Sequence, residues 1–334
     1  MTQASFQAGT TTARLSPCWT TYLGAIHGVL SAAQMTDLSF SEMAGMTGMA
    51  FQLIIHKHCD VASVTVYDWV GRHRNALDRI GVLSEVYHYE PGARTYEAAR
   101  IRAVEHIKAS IDRGIGVIAW AIDTGEFGVI YGYDDEDGVF HVDGVDKFNR
   151  TLGSDPMLYA NIAKKFSPAP FLHYQIPIER VPYDCEQVYR DSLHYYVNEM
   201  EKEEHIAPDF QCGFKAYDNW IQSLREASYQ DFGLRYLVSV YAESKMCAAE
   251  YVRKLSETWM GISGLADIAA KFEEVWEIYR VMSEEVLMQD WNGNQHLGKP
   301  VSKTQVQQMI PLLERARALE VETVGLVRQA LSIS

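Results

Sequence analysis

The stretch SPCWTTYLGAIHGVL, residues 16–30, sets Cys18 beside Trp19 at what reads as the start of a helix. Ser16 is a capping residue type, and Pro17 suits a first turn because it lacks the amide hydrogen that would go unpaired there. Cys18 is therefore expected in the first turn. Unpaired amides and the positive end of the helix dipole favour a thiolate at such a place, which makes the sulfur a usable nucleophile at neutral pH. The ordinary alternative is a small, buried and inert free cysteine. A cysteine nucleophile needs a base and a group that orients the base. Candidates for both lie far along the chain in GEFGVIYGYDDEDGVFHVDG, which holds Glu126, His141 and Asp143.

That second stretch reads as a hairpin, with apolar strands at 126–133 and 138–143 around an acidic turn. Pairing Tyr131 with Gly138 sets Glu126 opposite Asp143 and Gly128 opposite His141, and a two-residue slip sets Glu126 opposite His141. On either register the three polar residues share a face; a one-residue slip separates them. The turn DDEDG has carboxylates enough for calcium but lacks the spacing of a calcium loop, so it is read as a turn.

The elements that must position these groups fall into two sets. In the first half, helical periodicity at 18–33 leads to a short helix, a glycine turn and an apolar strand within LSFSEMAGMTGMAFQLIIHKH. A helix near 66–80 precedes the strand-like GVLSEVYHYE. In TYEAARIRAVEHIKASIDRG, Ala99, Ala103, Ile107 and Ile111 lie close to one helical face, and Gly114 is the expected C-cap. GVIAWAI, FGVIYGY, GVFHVDG and PFLHYQIPIE follow, rich in β-branched and aromatic residues. From about Asp184 onward, apolar residues recur at three and four residue spacing over five long segments, as amphipathic helices require. The fold class expected is thus α+β with an antiparallel sheet at 1–183, followed by an all-α helical bundle at 184–334. The helix-spaced aromatics between Tyr217 and Tyr279 are read as bundle core or as a homodimer interface, with a pocket lining as the alternative.

The order of an N-terminal cysteine helix and later antiparallel strands resembles the chain plan of papain-like cysteine peptidases and acyltransferases. More narrowly, SPCWTTYLGAIHGVL, LSFSEMAGMTGMAFQL and GVIAWAIDTGEFGVIYGYDDEDGVFHVDG look like the butirosin biosynthesis protein H family, in which a papain-like domain precedes a helical one. The resemblance covers most of residues 10–180 and, less specifically, the bundle. It implies a thiol-dependent acyl or amide transfer of secondary metabolism: the cysteine takes an acyl group from a carrier thioester and passes it to an amine. Cys18 would be the nucleophile, Glu126 or His141 the base and Asp143 the orienter. An oxyanion hole would draw on the Cys18 amide and an upstream donor, where papain-like enzymes carry Gln and this chain has Thr12. Trp19 accompanies the nucleophile in the family and is expected in the core.

One position departs from that pattern. Papain-like relatives open the relevant strand with histidine, and here the matching residue is Glu126. A carboxylate raises the pKa of a nearby thiol where an imidazolium lowers it. Three readings stay open: Glu126 is itself the base, His141 supplies an imidazole from a shifted position, or the site has given up acyl transfer and the chain binds a small molecule between its two domains. A cysteine peptidase is a further, weaker alternative.

Composition bounds the partners. The chain has 334 residues and a formal net charge of −14, which repels phosphate backbones and anionic membranes, so no nucleic acid or membrane partner is expected. The expected ligands are a small-molecule amine or acyl substrate, with an acyl carrier protein as a further candidate. Five widely spaced cysteines without a CxxC argue for reduced thiols, and the first fifteen residues lack the features of a signal peptide, so a cytoplasmic protein is expected. HKHCD places His56 and His58 on one face of a strand, but no second ligand cluster accompanies them, so neither metal nor cofactor is expected.

Overall fold

The computed structural model describes residues 7–122, 124–145, 154–163, 170–203, 207–289 and 297–332. Along the chain lie β1 (Ala8–Thr10), α1 (Thr21–Ala32), α2 (Phe40–Met46), β2 (Ile54–His56), α3 (Trp69–Arg79), β3 (Val82–Tyr89) and α4 (Tyr96–Asp112). Then come β4 (Val117–Trp120), β5 (Phe127–Asp134), β6 (Val139–Asp143), β7 (Met157–Leu158) and β8 (Leu172–Arg180). The rest is α5 (Cys185–Glu201), β9 (Phe210–Cys212), α6 (Gly213–Arg225), α7 (Asp231–Thr258), α8 (Leu265–Arg280) and α9 (Lys303–Leu331). The chain is mixed α and β, with an antiparallel sheet and a helical C-terminal region. No helix among the described residues is long and apolar enough to cross a membrane.

Two compact units divide the chain, Met1–Leu38 with Trp69–Tyr183, and Ser39–Asp68 with Asp184–Ser334. The boundary at 183/184 is where the two prolines of PIERVPYDC suggested it, but Ser39–Asp68 packs with the helical unit. Its side chains explain why. Phe51 meets the rings of Tyr196 and Phe272 at 5.4 and 6.0 Å. The Ile54 carbonyl accepts a 2.7 Å bond from the Tyr241 hydroxyl, and β2 pairs antiparallel with β9. At the centre of the helical unit Lys245 and Glu320 form a buried ion pair at 2.5 Å, and the Tyr196 hydroxyl donates to the same carboxylate. Most of the helix-spaced aromatics are core here, Tyr217, Trp220 and Tyr279 fully so, whereas Trp276 is half-buried.

The first unit is built on a sheet of order β3-β8-β4-β5-β6-β7, with β1 paired to β5 beyond the end of β4. The side-chain period of two gives the sheet two buried faces. Ala103, Ile107 and Ile111 of α4 pack on one, against Val117, Ile130, Tyr133, Phe140, Val142 and Tyr174. The alternate residues, among them Phe127, His141, Asp143, His173 and Gln175, face the side covered by α1 and α3. The hairpin register differs from the one expected. Val129 is opposite Asp143 and Gly132 is opposite His141, with an irregularity between Ile130 and Gly132. Tyr131 is the extra residue, a bulge that lets Ile130 and Tyr133 both reach the α4 side.

Helix α1 carries a seam of small residues. A Cβ on Gly28 would lie 1.7 Å from the Arg14 carbonyl oxygen, and one on Gly24 would lie 2.2 Å from the Cys18 sulfur. Residues 14–18 therefore run directly along the helix backbone. Alanine is the better helix former by about 1 kcal/mol, but forced overlap with backbone costs about 1–3 kcal/mol and outweighs it. Gly28→Ala should thus lower stability in urea denaturation, while Gly325→Ala in α9, where an added methyl meets nothing within 4 Å, should raise it.

Candidate functional site

The site is built where residues 14–20 meet the start of α1. The helix begins at Thr21, with Thr20 as N-cap, three residues later than the sequence suggested. Ser16 does not cap it: its hydroxyl pairs with His27 Nδ1 at 2.8 Å and its amide donates to the Gly24 carbonyl at 3.2 Å. The reason is the glycine seam: the backbone of residues 14–18 lies against Gly24 and Gly28, the Gly24 carbonyl takes the Ser16 amide, and the helix opens only at Thr21. Burial lowers the pKa of the His27 imidazole, so it meets Ser16 as a neutral ring.

Cys18 accordingly precedes the helix. It is half-buried, one of five free cysteines, and its thiol donates to the Thr20 carbonyl at 3.5 Å. Glu126 lies just ahead of β5 and is half-buried. Its carboxylate accepts a 2.8 Å bond from the Thr21 hydroxyl, which in turn accepts from the Phe127 amide at 3.2 Å. Glu126 and Cys18 thus converge on the first residues of one helix. The positive end of a helix stabilises a carboxylate, and Glu126 is held there through the Thr21 hydroxyl, while the Cys18 thiol is turned to the Thr20 carbonyl.

Asp143 and His141 serve the run upstream. Asp143 is buried and accepts the Leu15 amide at 2.8 Å. The half-buried His141 ring stacks on Tyr131 at 5.9 Å, and the Arg14 guanidinium covers Tyr131 at 3.5 Å from the ring centroid. The position of the turn is the cause. Asp134 pairs with Val139, where the sequence suggested Tyr131 with Gly138, and this leaves Asp143 three residues from Glu126 along β5, roughly 10 Å at the rise of a strand, and His141 six residues away, roughly 20 Å. The expected cluster of Glu126, His141 and Asp143 on one patch does not form. Thr12 is an exposed loop residue with no contact that brings it to Cys18, and Trp19 is half-buried where core was expected.

The remaining candidates resolve simply. The His58 amide donates to His56 Nδ1 at 3.2 Å, and the Cys59 thiol donates to the Ser223 hydroxyl, its pKa pushed up to about 12 by burial. Among the described residues no group of three or more His, Cys, Asp or Glu is placed to hold a metal ion. The acidic turn is closed by the Asp134 carboxylate accepting the Glu136 amide, and Asp135 pairs with Lys108.

Sequence reasoning missed one cluster, the line of imidazoles His88, His173 and His73, joined at 3.1 and 2.9 Å. The signal was there in VYHY and FLHYQI, each of which sets a histidine between apolar or aromatic neighbours, the first on the half-buried β3 and the second on a stretch of β8 buried on both faces. Their meeting depends on β3 lying beside β8, where His88 and His173 are directly opposed.

Compared with models of known protein families and with curated proteins, the chain matches none.

The Asp143 bond can be tested directly. Asp143→Ala strands a buried amide at Leu15, a loss of about 1–3 kcal/mol. Urea denaturation should show that loss and amide exchange at Leu15 should accelerate, whereas Asp143→Asn, which keeps an acceptor oxygen, should recover most of both.

Proposed function

We propose that this chain is a thiol-dependent acyl- or amide-transfer enzyme on a papain-like scaffold, related to the butirosin biosynthesis protein H family, with Cys18 as nucleophile and Glu126 as general base. One observation supports the reading above others: a half-buried thiol and a half-buried carboxylate are each hydrogen-bonded to the start of a single helix, Cys18 to the Thr20 carbonyl and Glu126 to the Thr21 hydroxyl. Of the two candidate bases, Glu126 is the one beside that helix start.

The chemistry closes without a further reactant. Glu126 takes the thiol proton as the Cys18 sulfur adds to the carbonyl carbon of a thioester donor. The tetrahedral oxyanion collapses, and the departing thiolate recovers the proton from Glu126. An amine then attacks the acyl-cysteine and gives its proton to Glu126; the Cys18 thiolate leaves and is reprotonated. Amides at the start of α1 are the natural oxyanion donors, since the first turn of a helix leaves its N–H groups without intrahelical partners. Asp143 acts at a distance, by fixing Leu15 and so the path of the chain into Cys18.

A second reading, a non-catalytic small-molecule binder, is favoured by the turn of the Cys18 thiol toward the Thr20 carbonyl and by a carboxylate standing where an imidazole would activate it. The two separate experimentally. On the acyl-transfer reading, incubation with a short-chain acyl thioester gives a Cys18-linked acyl adduct by intact mass, discharged by a primary amine. The adduct is absent in Cys18→Ala, and its formation slows by about a hundredfold or more in Glu126→Gln. Absence of the adduct, with iodoacetamide labelling of Cys18 that keeps the pH profile of an ordinary thiol and ignores Glu126→Gln, would overturn the proposal. The exposed Cys185 is an internal reference for an accessible thiol.

A further inference from the structure

The three imidazoles lie on the α1 and α3 side of the sheet. His173 on β8 uses both ring nitrogens, Nδ1 toward His88 Nδ1 and Nε2 toward His73 Nδ1. They therefore form a chain and not a claw around an ion. His73 and His173 are buried, and His88 is half-buried. A neutral imidazole offers one donor and one acceptor, so the chain is satisfied when all three rings are neutral and read in one direction.

The inner end of the chain supports the start of α1. The Tyr22 ring lies flat on His73, with centroids 3.7 Å apart and planes 12° from parallel. Its hydroxyl donates to Gln175 Oε1 at 2.7 Å, and Gln175 Nε2 donates to the His73 carbonyl at 3.1 Å and to the Ser84 hydroxyl at 2.8 Å. Phe127 stands edge-on to both Tyr22 and His73 at 5.2 Å. Tyr22 follows Thr21 and Phe127 follows Glu126. The Thr21–Glu126 bond and the Tyr22–His73–Phe127 packing are thus two layers of one joint.

We propose that the chain His88–His173–His73 is an acid-sensitive latch that holds the start of α1, and with it the Thr21–Glu126 pair, in place. As regulation of the Cys18 site it rests on the acyl-transfer reading; as a latch on α1 it does not. The groups that face it are Tyr22 from α1, Arg72 and Trp69 from α3, Phe127 from β5, and Ser84 and Gln175 from β3 and β8. Burial, reinforced by the neighbouring imidazoles and the Arg72 cation, holds His73 well below the usual histidine range, and burial brings His173 to about 3. Once opened, both titrate near 6.5. Above pH 6.5 neither state binds the protons, and the closed state keeps its full advantage. Below 6.5, for His173 down to about 3, only the opened state binds them, so closure weakens as pH falls, by about tenfold per pH unit for each histidine.

Hydrogen exchange on the full chain between pH 7.5 and 5.0, corrected for intrinsic exchange, reads the latch. Protection in the peptide spanning 19–30 should fall about tenfold or more per pH unit below 6.5, while α9 stays protected. In His173→Gln, which keeps a donor and an acceptor but does not titrate, the slope should drop by about tenfold per unit. An unchanged slope in that variant, or equal loss in α9, overturns the latch. Should the variant not fold, imidazole nitrogen shifts of the wild-type protein decide: neutral His73 and His173 at pH 5 in the folded state support it, and titration of both near 6.5 overturns it. Cys18→Ala should give the same exchange profile, so a failed acyl-transfer assay leaves this result standing on its own.

Discussion

The close approach of residues 14–18 to the backbone of α1 is the constraint on which the rest of the first unit depends. Two glycines four residues apart put a bare stripe on one side of the helix, and only bare backbone admits the Arg14 carbonyl and the Cys18 sulfur at the observed distances. The run is then pinned at several points. Ser16 bonds to the Gly24 carbonyl and to His27, Leu15 to Asp143, and Thr11 to the Tyr131 carbonyl. Two of these bonds go to α1 and two to the β5–β6 hairpin, so the path of the chain into Cys18 is placed by the helix and the hairpin together.

The polar groups around the helix start divide the electrostatic work. The Thr21 hydroxyl holds Glu126 against the positive end of α1. Asp143, also a carboxylate, is kept away from that end by the register of the hairpin and accepts a hydrogen bond from a buried amide. Two acids thereby take separate tasks, one bonded to the first residue of the helix and one bonded to the chain that leads into Cys18.

Much of the architecture was legible because period alone decides it. The apolar spacing of α4, its stop at Gly114, the four principal strands from β4 to β8 and the long C-terminal helices all follow from residues that can only be buried one way. What was not legible needed a neighbour. A turn placed between Asp134 and Val139, together with a single extra residue at Tyr131, changed which side chains of the hairpin oppose one another, and neither has a clear mark in YGYDDEDG. Ser16 and Pro17 carry the chemistry of a helix start, yet Gly24 and Gly28 offered their backbone a better surface to lie on. Cys18 and Glu126 stood out by residue type, but Thr20 and Thr21, the helix-start residues to which they are hydrogen-bonded, did not. The imidazole chain stayed hidden because its members come from β3, α3 and β8, and nothing in their spacing along the chain announces that β8 slots between β3 and β4.

The excursion of Ser39–Asp68 into the helical unit has a kinetic meaning. Ribosomal synthesis releases Met43, Phe51 and Ile54 long before the aromatic rings of α7 and α8 that cover them, so these apolar groups wait uncovered while the sheet assembles around their flanks. Neither unit is a continuous stretch of chain. A cut at residue 183 would free the sheet with an orphaned apolar loop and leave the helices without one of their own internal layers.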